Sequence, residues 1–143
     1  MSDKVPTGAM GGQVEYWNSD AGNKWVANQE RLDRQLGILT DRLFEHTDIQ
    51  VGERIIDIGC GTGQLVIEAG KNDYEAIGVD YAEEMIRHCN ENRLIARTQA
   101  EFQFGSIFDL PLEKRSFEVV SALGFIEYLP QAQLEKFFLR VTD

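Results

Sequence analysis

The residues best suited to chemistry lie in one short run, Ile55-Ile56-Asp57-Ile58-Gly59-Cys60-Gly61-Thr62-Gly63. Three glycines at alternate positions permit positive φ and strip Cβ atoms from one side of the backbone. A ligand can then lie directly against the main chain. The spacing narrows the ligand. A dinucleotide fingerprint reads G-x-G-x-x-G, with a helix N-terminus aimed at a pyrophosphate. Here Gln64 stands where its third glycine belongs. A Walker loop ends in Gly-Lys-Ser/Thr, and no lysine follows Gly63. The loop is glycine-rich without phosphate-gripping equipment. A plain strand-to-helix turn needs one such glycine, and each costs up to about 1 kcal/mol against alanine, so three favour a bound ligand. A second carboxylate, Asp80, closes the run Ala76-Ile77-Gly78-Val79-Asp80, 23 residues after Asp57. At the end of a second strand it is placed to accept two hydrogen bonds from a ribose diol, a strong orienting pair. It also precedes a helix and suits an N-cap; the two roles are compatible.

These residues need strands to end them and helices to follow. Arg54–Ile58 is a short β-branched run; Tyr74–Asp80, Glu101–Gly105 and Phe117–Leu123 read as further strands. Gln64–Gly70 and Glu83–Leu94 read as helices, the second with Met85, Ile86 and Cys89 on one side. Gln131–Val141 carries Leu134, Phe137, Phe138 and Val141 at helical spacing, and Asn23–His46 carries Leu32, Leu36, Leu39 and Leu43 on one face. Alternating strands and helices indicate an α/β fold, a parallel sheet with helices on both faces. Right-handed crossovers bring the loops after the strands to one edge, where open α/β sheets bind ligands.

The bulk composition excludes several classes. The chain has 143 residues, enough for one compact domain, and 43% apolar residues, enough for a core. A formal net charge of −10 with no basic run argues against nucleic acid, which needs clustered Lys and Arg. No apolar run approaches a membrane span. Residues 1–13 lack the apolar core of a secretory signal and are glycine-rich and aperiodic; they are expected to be a disordered leader, with the domain running over 14–143. Cys60 and Cys89 are too few for a disulfide framework, and no His/Cys cluster suggests a metal. His46 and His88 are expected at the surface. A reducing, cytoplasmic setting follows from the cysteine usage.

Asp57-x-Gly59-x-Gly61-x-Gly63, then Gly78-Val79-Asp80 and Met85, resembles the class I S-adenosylmethionine-dependent methyltransferases. Gly105-Ser106-Ile107-Phe108-Asp109-Leu110-Pro111 and Ser116-Phe117-Glu118-Val119-Val120 fit the same family, and Tyr16-Trp17-Asn18 with Ala21-Gly22-Asn23-Lys24-Trp25 resembles a lead-in of one of its branches. The resemblance implies a Rossmann-like sheet of strand order 3-2-1-4 and a site for S-adenosylmethionine, leaving as S-adenosylhomocysteine. In it the Gly59–Gly63 loop, Cys60 included, backs the methionine part. Asp57 orders the loop near the amino group, and Asp80 holds the ribose with Tyr81 beside it. Met85 lies near the adenine, Ile107 offers its N–H to the adenine ring, and Leu123 offers a carbonyl toward the amino group. Tyr16 and Trp17 form part of a lid or pack on the sheet.

Two residues depart from the pattern. Ser106 stands where an aspartate often accepts the adenine amino group, and a neutral hydroxyl is weaker there by about 1 kcal/mol. Ala82 stands where a serine often caps the next helix and cannot cap it. Family members also usually continue past Gln131–Val141 with further strands. A chain ending there leaves the fourth strand as an open edge. It is expected to be a fragment, or to have that edge covered by a second copy in a homodimer. Methyl transfer from a sulfonium chiefly needs alignment of methyl and nucleophile. Glu127 and Tyr128 follow the fourth strand at the acceptor edge, placed for a base or a substrate contact; Glu127 reads rather as the start of a solvated turn before Pro130, and no catalytic residue is assigned. The expected function is methyl transfer to a small molecule. A cofactor-binding half-domain without turnover is the alternative, and an NAD-dependent oxidoreductase is disfavoured by the glycine spacing.

Overall fold

The computed structural model describes residues 15–143. The expected leader lies outside the described residues, as does the side chain of Trp25. A helical turn over 15–17 leads into α1 (Asp20–Ala27) and α2 (Gln29–Thr47). There follow β1 (Arg54–Ile58), α3 (Gln64–Lys71), β2 (Glu75–Asp80), α4 (Glu83–Ala96), β3 (Glu101–Phe104), β4 (Val119–Ser121), a 3-10 turn (Ile126–Tyr128) and α5 (Gln131–Val141). All pairings are parallel and the order is β3-β2-β1-β4, the order the family resemblance implied. The α/β architecture with helices on the sheet also follows expectation.

Two elements differ from expectation. The helix read over Asn23–His46 is two helices, broken at Asn28. The Asn28 side-chain amide donates to the Lys24 carbonyl at 2.8 Å, the local competition with the backbone typical of asparagine. The fourth strand, read over Phe117–Leu123, keeps only Val119–Ser121. Its ladder with β1 covers Ile55–Asp57 alone. Phe117 instead lies 4.7 Å beneath the Arg54 guanidinium, and Phe125 N–H turns the chain back onto the Ala122 carbonyl.

The strand period sorts side chains to two faces. Ile55, Ala76 and Val119 join Leu65, Val66, Ala69, Ile86 and Cys89 in one core cluster, under α3 and α4. Ile56, Ile58, Ile77 and Val79 join Phe125, Leu129 and Phe137 in the other, under α5. By the same alternation Asp57, Asp80 and Ser121 share the face of Ile55, Ala76 and Val119, at the C-terminal ends of three adjacent strands. Thus one side of the sheet is apolar until its last row, where it becomes polar.

Candidate functional site

A cavity of about 340 Å³ opens at that last row. Asp57, Gly59, Cys60, Gly61, Asp80, Tyr81, Met85 and Leu123 line it, each of them expected from sequence. Three other expected residues lie elsewhere. Gly63 is buried just before α3, with its N–H on the Cys60 carbonyl at 3.0 Å. Ser106 closes the turn after β3, its hydroxyl accepting the Phe108 N–H at 3.2 Å. Ile107 is buried in the cluster under α5, because residues alternate as the chain leaves the strand.

The three loop glycines do different work. Gly59, Gly61 and Gly63 all have positive φ, of 72°, 57° and 88°. A Cβ on Gly59 would stand 3.0 Å from the Phe125 ring, and one on Gly63 would stand 2.8 Å from Phe102 and 3.2 Å from the Cys89 sulfur. At these two positions the bare backbone makes room for the protein's own side chains as well as for turning. The sequence reading had assigned that room to a ligand alone.

Asp80 fastens the loop. Its Oδ2 accepts the Gly61 N–H at 3.0 Å, and its Oδ1 accepts the Ala82 N–H at 2.9 Å. Ala82 is itself the N-cap of α4 and gives no side-chain bond, so Asp80 supplies part of what a capping side chain would. Each oxygen keeps a further lone pair for a ligand donor. Burial raises the Asp80 carboxyl to about 6, against the opposing pull of these N–H groups.

Asp57 is the more exposed in energy, though buried in space. Its Oδ1 has no hydrogen-bond partner among the described residues. Ser121 stands opposite it in the β1–β4 register, and its buried hydroxyl also lacks a partner of bonding geometry. Burial raises the Asp57 carboxyl to about 7; the facing Ser121 hydroxyl opposes the shift and the Asp80 charge adds to it. A buried acceptor without a donor costs about 1–3 kcal/mol, and a cation bound in the cavity beside this carboxyl offsets part of that cost. Burial and the Asp80 charge also raise the Tyr81 phenol.

Leu36, Leu39 and Thr40 of α2 and Gln64 and Leu65 of α3, none of them expected from sequence, also line the cavity, as do Trp17, expected as lid or packing, and Tyr128, expected at the acceptor edge. Trp17 and Tyr128 meet edge to face at 6.0 Å, so Trp17 both packs and forms a wall. Glu127 does not line the cavity and is exposed. Thr40 is 1% exposed and donates to Gln64 Oε1 at 2.7 Å, tying α2 to the loop's exit. Thr40→Val, which removes only that donor, is expected to lower stability by about 1 kcal/mol. Urea unfolding reads this; an unchanged midpoint would show that the bond contributes nothing.

Among the described residues no cluster of three or more His, Cys, Asp or Glu is arranged for a metal. No helix among them is long and apolar enough to cross a membrane. His46 is exposed and His88 half-buried on α4, both away from the cavity.

Comparisons with known proteins agree with this fold. A family model described as a methyltransferase domain matches residues 55–143. The chain is 30% identical over 109 residues to 27-O-demethylrifamycin SV methyltransferase of Amycolatopsis mediterranei, covering 74% of this chain and 40% of that protein. It is 27% identical over 132 residues to the O-methyltransferase cnsE of Penicillium expansum, covering 86% and 44%. The chain therefore spans less than half the length of these relatives. Magnesium protoporphyrin IX methyltransferase of Synechocystis PCC 6803, solved with bound S-adenosylmethionine, superposes with a TM-score of 0.79 at 17% identity, over 96% of this chain and 72% of that one. The cyclase SpnF superposes with a TM-score of 0.67 at 20% identity, over 76% and 39%, so this fold serves more than one reaction. The family match, the strand order and the glycine loop agree: the chain belongs to the class I S-adenosylmethionine-dependent methyltransferase domain family.

Proposed function

We propose that the cavity at the ends of β1, β2 and β4 binds S-adenosylmethionine and that the protein presents its methyl group to a small, largely apolar acceptor. The observation that carries this reading is the buried Asp57 carboxyl at the cavity wall beside the Gly59–Gly61 backbone. The amino acid part of the cofactor brings an ammonium group, a cation that stabilises the ionised form of this carboxyl from the cavity side. Asp80 would take the ribose hydroxyls on its free lone pairs, and Met85 would pack against the adenine. When bound, the cofactor supplies a methyl group already activated on a sulfonium. The chain's own part is to orient it and to exclude water with Leu36, Leu39, Trp17 and Tyr128.

The lining supports this acceptor class. Among the described residues no lysine or arginine lines the cavity, so these offer no charge for phosphate or polyanion. Its wall is leucine and aromatic, suited to an apolar molecule. Relatives named as methyltransferases of a rifamycin and as O-methyltransferases support a small-molecule acceptor.

Calorimetry across pH tests the cofactor reading. Ammonium binding favours the ionised form of Asp57, so binding must release the proton that burial retains. Affinity for S-adenosylhomocysteine is expected to rise as pH increases through about 7, at most tenfold per pH unit, and to flatten above it. The stability of the unliganded protein has the opposite sign. Raised carboxyl values in the fold favour the protonated state, so their contribution is fully present below the ordinary value of 3.8 and is lost progressively as pH rises from there to about 6 for Asp80 and about 7 for Asp57. Asp57→Asn should remove the Asp57 part of both slopes and leave that of Asp80. Binding of NAD but not of S-adenosylhomocysteine would overturn the assignment.

A further inference from the structure

Two thiols left unused by cofactor binding meet behind the glycine loop. Cys60 belongs to the loop and Cys89 to α4, and their sulfurs lie 3.8 Å apart with no disulfide between them. Cys89 is fully buried; Cys60 is 8% exposed and lines the cavity. The Cys89 thiol donates to the Gly61 carbonyl at 2.9 Å. A disulfide requires the sulfurs to close to about 2.05 Å. Glycines on both sides of Cys60, each at positive φ, give its backbone freedom to make that approach.

We propose that Cys60 and Cys89 form a reversible disulfide at the expense of a hydroperoxide, and that this bond closes the cavity to its cofactor. The crosslink stands on the sulfur geometry alone; its effect on ligand rests on the function proposed above. Cys60 is the sulfur a peroxide reaches, since it borders the cavity. Its thiolate attacks one peroxide oxygen, the O–O bond breaks, and the leaving hydroxide takes a proton to become water. The resulting Cys60 sulfenic acid is attacked by the Cys89 sulfur. The S–O bond breaks, the S–S bond forms, and a second water leaves with the Cys89 proton. In sum two thiols lose two electrons and two protons, and one hydrogen peroxide becomes two waters. The hydrogen bond with Cys89, burial, and the charges on Asp80 and Asp57 all raise the Cys60 thiol, so little thiolate is present and the first step is slow.

The consequence for the cavity follows from Gly61. A disulfide has no S–H, so the Gly61 carbonyl loses its donor. The N–H of the same residue is the one held by Asp80 Oδ2. Pulling Cys60 toward α4 thus disturbs both the loop and the carboxylate beneath the ligand.

The test treats the full chain with hydrogen peroxide, then denatures it, alkylates free thiols and measures the intact mass. The expected product has lost two hydrogens and takes up no alkylating agent. Saturating S-adenosylhomocysteine, by covering Cys60, slows its formation. The crosslinked protein binds S-adenosylhomocysteine about tenfold or more weakly, and dithiothreitol restores the affinity. Cys89→Ser gains oxygen at Cys60 instead of losing two hydrogens. Two alkylatable thiols persisting in treated wild-type protein would overturn the proposal. A crosslink that leaves affinity unchanged would overturn its effect on the cavity. A crosslink in a protein that fails to bind S-adenosylhomocysteine even before treatment would refute the cofactor reading and leave the disulfide standing.

Discussion

Asp80→Ala is expected to weaken S-adenosylhomocysteine binding by about 1.5–3 kcal/mol, roughly ten- to a hundredfold. Two losses add. The ribose hydroxyls lose a charged acceptor, and the Gly61 and Ala82 N–H groups lose the oxygens that hold them at 3.0 and 2.9 Å. Asp80→Asn separates the two. An amide keeps one carbonyl oxygen as acceptor but presents an NH2 where the other oxygen stood, so it is expected to bind between wild type and alanine. Titration calorimetry reads the affinities, and urea unfolding of the same variants shows whether the fold is retained. A folded Asp80→Ala protein with wild-type affinity would remove Asp80 from the site.

Gly63→Val should be the most damaging single change in the loop. At φ 88° an L-residue costs about 1–2 kcal/mol, more when β-branched. Its Cβ would also stand 2.8 Å from the Phe102 ring and 3.2 Å from the Cys89 sulfur, overpacking worth about 1–3 kcal/mol more. The sum, about 2–5 kcal/mol, is a large part of the stability of a domain this size. Gly52→Val is the matched control, since φ there is 83° but nothing lies within 4 Å of its Cβ. It should cost only the backbone term. Urea midpoints for both variants decide this; equal losses would mean that the Phe102 and Cys89 contacts add nothing.

The contrast between these glycines shows what was legible in sequence. Positive φ at Gly59, Gly61 and Gly63 follows from local spacing, and so did the strand-end positions of Asp57 and Asp80. The alternation of strands and helices made a parallel sheet legible, whereas the order β3-β2-β1-β4 came only from the family resemblance. Contacts of long sequence separation were not legible. Nothing near Gly63 announces Phe102, and nothing near Cys60 announces Cys89, 29 residues on. The α2 stripe was read as one face, yet Leu43 packs on the core while Leu36 and Leu39 wall the cavity, with Leu39 50% exposed. Helical period gives a face and not what lies opposite it. Likewise the apolar run Phe117–Leu123 could be a full strand; only its ladder with β1 limits it to Val119–Ser121.

Asp57 separates a binding site from a strained turn. A turn gains nothing by burying a carboxylate oxygen without a donor, whereas a site for a cationic amino acid group does. A crystal structure with S-adenosylhomocysteine is the measurement to make. The ammonium group is expected beside the Asp57 carboxyl, the thioether along Gly59–Gly61, and the ribose hydroxyls on Asp80. A nucleoside seated in another cavity, or bound here with its ammonium group turned away from Asp57, would contradict the assignment.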